Sequence, residues 1–253
     1  MCNQAASELK PDNKNFLGLC DALGMSKLIT IGGMSCDQTE LLKYVEAYLD
    51  PKNQFAYPAY DAYEGSGAPE VRDADLLAIA LLNAGQKPLP TYYTLQSMLG
   101  IMNERLADSR LRGNFAEASD GTMEAISNLV GILDVHPSTS QVGKTKLLKV
   151  LHRKRPGLIP LYDENIRQLY SETDNPPVPR DPKRTHREFA LAWLPAVQHD
   201  FKVHMDVWLE IVDMTAGRTP ITPLRAMDIV AWEMGAHVRN PNRNKLNLEP
   251  RNR

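Results

Sequence analysis

The chain has 253 residues, a formal net charge of −2, 43% hydrophobic residues and 24% charged residues. That is enough apolar material for one large core or two small ones, with the charge content of an ordinary soluble globular protein. No apolar run approaches the roughly 18 residues of a membrane helix. The first residues lack an apolar signal core, and Cys2, Cys20 and Cys36 form no metal-ligand spacing. These features argue against a membrane span, a disulfide scaffold, structural zinc and an iron–sulfur cluster, and the expectation is a cytoplasmic protein with no metal and no cofactor.

In chain order, residues 1–14 are polar and read as a disordered tail. Ser35 or Asp37 is placed to cap a helix whose apolar positions Leu41, Leu42, Val45, Ala47 and Leu49 suit a 3.6-residue period, with Pro51 ending it. Residues 51–70 form a loop rich in Pro and Gly, with Tyr57, Tyr60 and Tyr63 closely spaced. Asp73 or Asp75 opens an apolar helix stopped by Gly85 and Pro88. Thr91 leads into a second helix ending before Gly113, and Asp120 or Thr122 caps a third that Pro137 closes.

Residues 138–141 connect to a basic helix over 144–154, with Leu147, Leu148, Val150 and Leu151 as its apolar face and Pro156 and Gly157 as its stop. Asp163 then starts another helix. After a proline-rich loop comes a helix around Trp193, interrupted or kinked at Pro195 and resuming to Gly217. The last helix, around Arg225 and Asp228, follows Pro220 and Pro223. Strand-like runs are limited to KLITIGG, ILDV and LIPLY.

The expectation is an all-α, multi-helix globular protein. Its helical part spans residues 15–239, readable as one body or as lobes 15–137 and 138–239, with a polar tail over 240–253.

The charge is unevenly spread. Residues 1–143 carry ten Lys/Arg against eighteen Asp/Glu, a net of −8, whereas residues 144–253 carry nineteen against thirteen, a net of +6. Six basic residues fall between Lys144 and Arg155, and no Asp or Glu occurs between Asp134 and Asp163. This run reads either as a polyanion-binding face or as a solvated helix face. Asp163 reads either as a catalytic carboxylate or as a helix N-cap. Arg225 and Asp228, three apart, read as an intrahelical ion pair or as part of a polar pocket with Asp163. His199 and His204 are five apart, which is wrong for two metal ligands on one helical face. Gly143-Lys144-Thr145 has the ending of a phosphate-binding P-loop, but Ser138 stands where the first glycine belongs.

Two resemblances add to this reading. The segment Gln141–Lys146, a helix and then Pro160-Leu161-Tyr162-Asp163 resembles part of the helix-hairpin-helix DNA glycosylases. It shows one hairpin glycine where two are usual, and two residues between Pro160 and Asp163 where one is usual. The resemblance implies a helix-hairpin-helix-like segment that binds nucleic acid, DNA in preference to RNA. Gly143, Lys146, Lys149, Arg153, Lys154 and Arg155 would contact phosphate. Asp163 would be the catalytic acid and Lys144 a candidate nucleophile, with Thr145 or Lys146 as alternatives to Lys144. Tyr162, Tyr57, Tyr60, Arg225 and Asp228 would line the pocket. The other reading is a non-catalytic helix-hairpin-helix module binding DNA or a protein. Over most of residues 55–235 the chain also resembles an uncharacterised bacterial domain family, through YDAYEGSG with DADLLAIALLN, KVLHRKRPGLIPLYD and ITPLRAMDIVAW. That resemblance implies architecture and no chemistry.

Overall fold

The computed structural model describes residues 27–239, and the calls on both tails lie outside them. The protein is mostly helical, as its periodicity implies. It begins with a hairpin, β1 (Leu28–Ile31) against β2 (Met34–Asp37), antiparallel with Ile31 opposite Met34. Asp37 then caps α1 (Gln38–Leu49), its carboxylate accepting from the Glu40 amide. A long loop leads to α2 (Asp73–Ala78), which continues as a 3-10 turn (Ile79–Leu82). Next come α3 (Pro88–Ser97) and α4 (Leu99–Leu106), which the sequence joins into one helix; Met98 divides them. The Ser119 side chain, not Asp120 or Thr122, caps α5 (Asp120–Val130), and Gly131 separates it from α6 (Ile132–Val135). Thus ILDV is a helical turn, since a short apolar run has no period to choose strand over helix.

The basic helix α7 occupies Lys144–Lys154, and Asp163 caps α8 (Glu164–Ser171). LIPLY forms no strand, and Pro160 there has no N–H to give a ladder. Helix α9 (His186–Val203) runs unbroken through Pro195. Pro195 and Leu191, whose carbonyl loses its helical partner, are both exposed, so the freed carbonyl is open to solvent. The chain breaks instead at His204, before α10 (Met205–Asp213). Helix α11 (Pro223–Arg239) completes the described residues.

A single cluster of buried apolar side chains extends from Ile29 to Met234. Trp193 and Trp208 are fully buried in it, and Trp232 packs partly buried against it. Helices α8 and α11 form the most extensive helix–helix contact among the described residues. A Cβ on Gly235 would lie 2.1 Å from the Asn165 carbonyl oxygen, so only glycine lets α11 approach the start of α8. That approach brings Asp228 on α11 toward Asp163 at the head of α8.

Candidate functional site

The apolar face of α7 is the expected one, with Leu147, Leu148, Val150 and Leu151 buried. Its basic residues are not on a solvated face. Lys149, Arg153 and Lys154 are buried, the last two 1% exposed. A buried cation needs a counter-charge and acceptors for its remaining protons. Asp75 on α2 supplies the charge: its Oδ1 accepts from Arg153 Nε at 2.9 Å and its Oδ2 from Lys154 Nζ at 2.8 Å. Loop carbonyls supply the acceptors. Arg153 donates to the carbonyls of Tyr60, Tyr63 and Glu64, and Lys154 donates to that of Gly65. The YDAYEGSG loop is therefore clamped onto α7 by its own backbone. Arg155 donates to the carbonyls of Leu111 and Leu106, and His152 Nδ1 meets the Ile159 oxygen at 2.7 Å. Burial pushes His152 down to about 4.

These contacts correct the phosphate-contact assignment for Lys149, Arg153 and Lys154, because their protons are taken by protein oxygens and their side chains are away from solvent. Lys146 is half-buried and donates to the Gln86 carbonyl at 2.9 Å and to Thr91 Oγ1 at 2.6 Å. Gly143 is exposed and starts α7 with no side-chain cap, and a Cβ there would meet nothing within 4 Å.

The clamped loop carries Asp61 and Tyr60 to α11. Arg225 Nε donates to Asp61 Oδ1 at 2.9 Å, Nη2 reaches the Tyr48 hydroxyl at 3.1 Å, and Nη1 pairs with Asp228 Oδ2. Its guanidinium also lies over the rings of Tyr48 and Tyr60. The intrahelical ion pair and the polar pocket are thus parts of one buried cluster. Burial raises the Asp228 carboxyl to about 6, with Arg225 pulling it down and Asp163 pushing it up. Lys149, lowered by burial, also feels both Asp163 and Asp228, and its ammonium donates to the Leu82 carbonyl at 2.6 Å.

Asp163 is half-buried, and its Oδ1 accepts from the amides of Asn165 at 2.9 Å and Ile166 at 3.1 Å. Lys144 goes elsewhere: its Nζ lies over the rings of Phe189 and Tyr162, 3.5 Å from His186 Nδ1, and the charges acting on it are Asp134 and Arg167. The lysine that Asp163 acts on is Lys149, not Lys144.

The pocket aromatics are core residues. Tyr57 donates to the Thr219 carbonyl, Tyr60 to that of Lys149, and Tyr162 packs edge-on against Trp193 and Phe189. Asp228 does line a cavity of about 20 Å³ with Pro160, Leu161, Tyr170, Trp193 and Met227, the room of one water. A larger groove of about 760 Å³ opens between α4, α5 and the start of α9, and Asp163 is not part of its wall.

The sequence reading gives Asp61 and Tyr48 no role and Asp75 only that of a candidate helix start. The available signal was bookkeeping of charge: an apolar-faced helix with six cations needs acids, and YDAY and DADLL carry them. Among the described residues, no group of three or more His, Cys, Asp or Glu is arranged to hold a metal ion. No helix of the described residues is long and apolar enough to cross a membrane.

Residues 41–235 match a family of unknown function, DUF6308. The chain belongs to this family. The match covers the clamped loop, α7, the Asp163 cap and nearly all of α11, so the network described above lies wholly within the family's span. No curated protein and no solved structure matches the chain.

Proposed function

We propose that the protein is a hydrolytic enzyme acting on a nucleic-acid N-glycosidic bond, with Asp163 and Asp228 as its working carboxylates. The observation that carries this reading is a pair of acids on different helices, with the charge of Asp163 acting on Asp228 and both acting on Lys149. One is held by backbone amides at a helix start, and the other is mostly buried, which raises its carboxyl to about 6. Pairs of acids in environments that differ in this way divide general-acid and charge-stabilising roles. In the reading, Asp163 faces the sugar cation that develops as the C1′–N bond breaks. Asp228 gives its proton, through one water in the small cavity it lines, to the departing base, which takes the bonding electron pair. Water adds at C1′ and loses a proton to Asp163. Lys144, held between Phe189, Tyr162 and His186, is not the nucleophile. The nucleic-acid part of the reading rests on the resemblance of residues 141–163 to helix-hairpin-helix glycosylases, and the exposed, uncapped start of α7 at Gly143 is consistent with it.

The test is base release from a panel of damaged and modified bases in single- and double-stranded oligonucleotides. Wild type should release at least one base, and Asp163→Asn and Asp228→Asn should each abolish release while remaining folded. A second reading, a non-catalytic module binding DNA or protein, is favoured by the capping role of Asp163. It becomes the conclusion if wild type releases no base but binds DNA or a protein partner.

A further inference from the structure

Two stretches of the chain carry no acid over 28 residues each: 76–103 and 135–162. The fold places them side by side. The segment before α7 runs along α3, tied at one end by His136 Nε2, 3.3 Å from the Ser97 oxygen. At the other end Lys146 is bonded to Gln86 and Thr91. On the outer side of α3, Leu89 is 67% exposed and Tyr93 63% exposed, four residues apart and so on one helical face. Tyr92 holds the Tyr93 ring edge-on at 5.4 Å. Lys87 is exposed beside them and close enough to Lys146 to influence it. Asp73 is hydrogen-bonded to Tyr92, and Asp134 acts on Lys144. Asp134 is also occupied by the amides of His186 and Arg187.

We infer that Leu89 and Tyr93, with Lys87 and the start of α7 beside them, form a docking surface for single-stranded nucleic acid, on which an unstacked base lies against the Tyr93 ring. A flat ring beside Lys87, on two stretches of chain that carry no acid of their own and with the Asp73 carboxylate engaged by Tyr92, matches a strand of stacked bases and phosphates, since every base offers a face to an aromatic ring. The first turn of α7 lies between this face and Tyr162, because Lys146 reaches toward α3 and Lys144 toward Tyr162. A strand stacked on Tyr93 would therefore approach Asp163 across Gly143. The inference rests on the nucleic-acid reading above and deepens it by naming a single strand as the form bound.

The experiment measures fluorescence anisotropy of a short fluorescein-labelled oligothymidylate, its duplex of the same length, and an acidic peptide of similar charge, all at low salt. The expected result is tighter binding of the single strand than of the duplex. Tyr93→Ala should weaken it about tenfold, and Tyr93→Phe should restore it. Lys87→Glu should flatten the salt dependence. Leu89→Ser tests the same face independently, and circular dichroism melts check that each variant is folded. Four results overturn the inference: Tyr93→Ala and Leu89→Ser binding as wild type, duplex bound more tightly, no binding at low salt, or the acidic peptide displacing the strand from this face. Base release is read on the same oligonucleotide. Tyr93-dependent binding without release leaves this surface standing and removes the hydrolytic reading. Release unaffected by Tyr93→Ala does the reverse.

Discussion

Asp75 and Arg153, 78 residues apart, meet at 2.9 Å with side chains 2% and 1% exposed, and Lys154 shares the same carboxylate. One carboxylate is thus shared by two buried cations, and the carbonyls of the 60–65 loop take the remaining protons. The basic run that looks like a nucleic-acid footprint is in large part the inner framework of the protein.

Removing Asp75 leaves two cations buried without their counter-charge. Asp75→Ala should cost about 3–5 kcal/mol of stability in urea unfolding. The triple variant Asp75→Leu, Arg153→Met, Lys154→Met should recover most of that loss, because an apolar replacement of a buried ion cluster is often neutral or better. A loss under about 1 kcal/mol for Asp75→Ala would mean that water or another acid reaches the cations.

Asp163 serves a cap whether or not it serves chemistry, and two substitutions separate the roles. Asn caps as well as Asp, whereas Ala costs about 0.5–2 kcal/mol at such a position. Asp163→Asn should therefore melt close to wild type and Asp163→Ala several degrees lower, while base release is lost in both. If Asp163→Asn keeps full activity, the carboxylate charge is not used.

Asp228 predicts a pH dependence. Its proton is held to about pH 6 in the folded protein, against about 3.9 for an ordinary aspartate. The folded state thus binds more protons than the unfolded chain across that window. Its contribution is full below about pH 4 and is lost as pH rises through about 6, a change of about 3 kcal/mol. Asp228→Asn should remove this slope, seen as the difference between wild-type and variant stability at pH 4 and pH 7. Activity should also fall above about pH 6 as the proton donor ionises. Identical pH–stability profiles for the two proteins would contradict the burial of this group.

Gly235 is the point where α11 touches α8. Gly235→Ala would set a methyl group 2.1 Å from the Asn165 oxygen, so backbone must move. The expected cost is about 1–3 kcal/mol or more, read from thermal melts. Because Asn165 is two residues from Asp163, the same variant should lower activity beyond its effect on stability.

Much of the architecture was legible in the chain. The 3.6-residue spacing of Leu41, Val45 and Leu49, the stop at Pro156-Gly157 and the cap at Asp163 are local signals, set by dihedral preferences and backbone hydrogen bonds within a few residues. They define helices without reference to the rest of the fold, and α7 begins and ends where its sequence says. The pairing of Arg225 with Asp228 is equally local, three residues apart on one helix.

What the chain alone left open is which side of α7 meets solvent. A lysine or arginine in a sequence is equally compatible with water and with a buried carboxylate, because the difference lies in a partner far away along the chain. Only the tertiary structure brings Asp75 to Arg153 and Lys154 and Asp61 to Arg225, and sets the charge of Asp163 on Lys149 in place of Lys144. The same holds for Pro195, whose place on an exposed face lets α9 continue. Charge burial and counter-charge are long-range properties of the fold, and the site exists only once α2, α7, α8 and α11 are packed together.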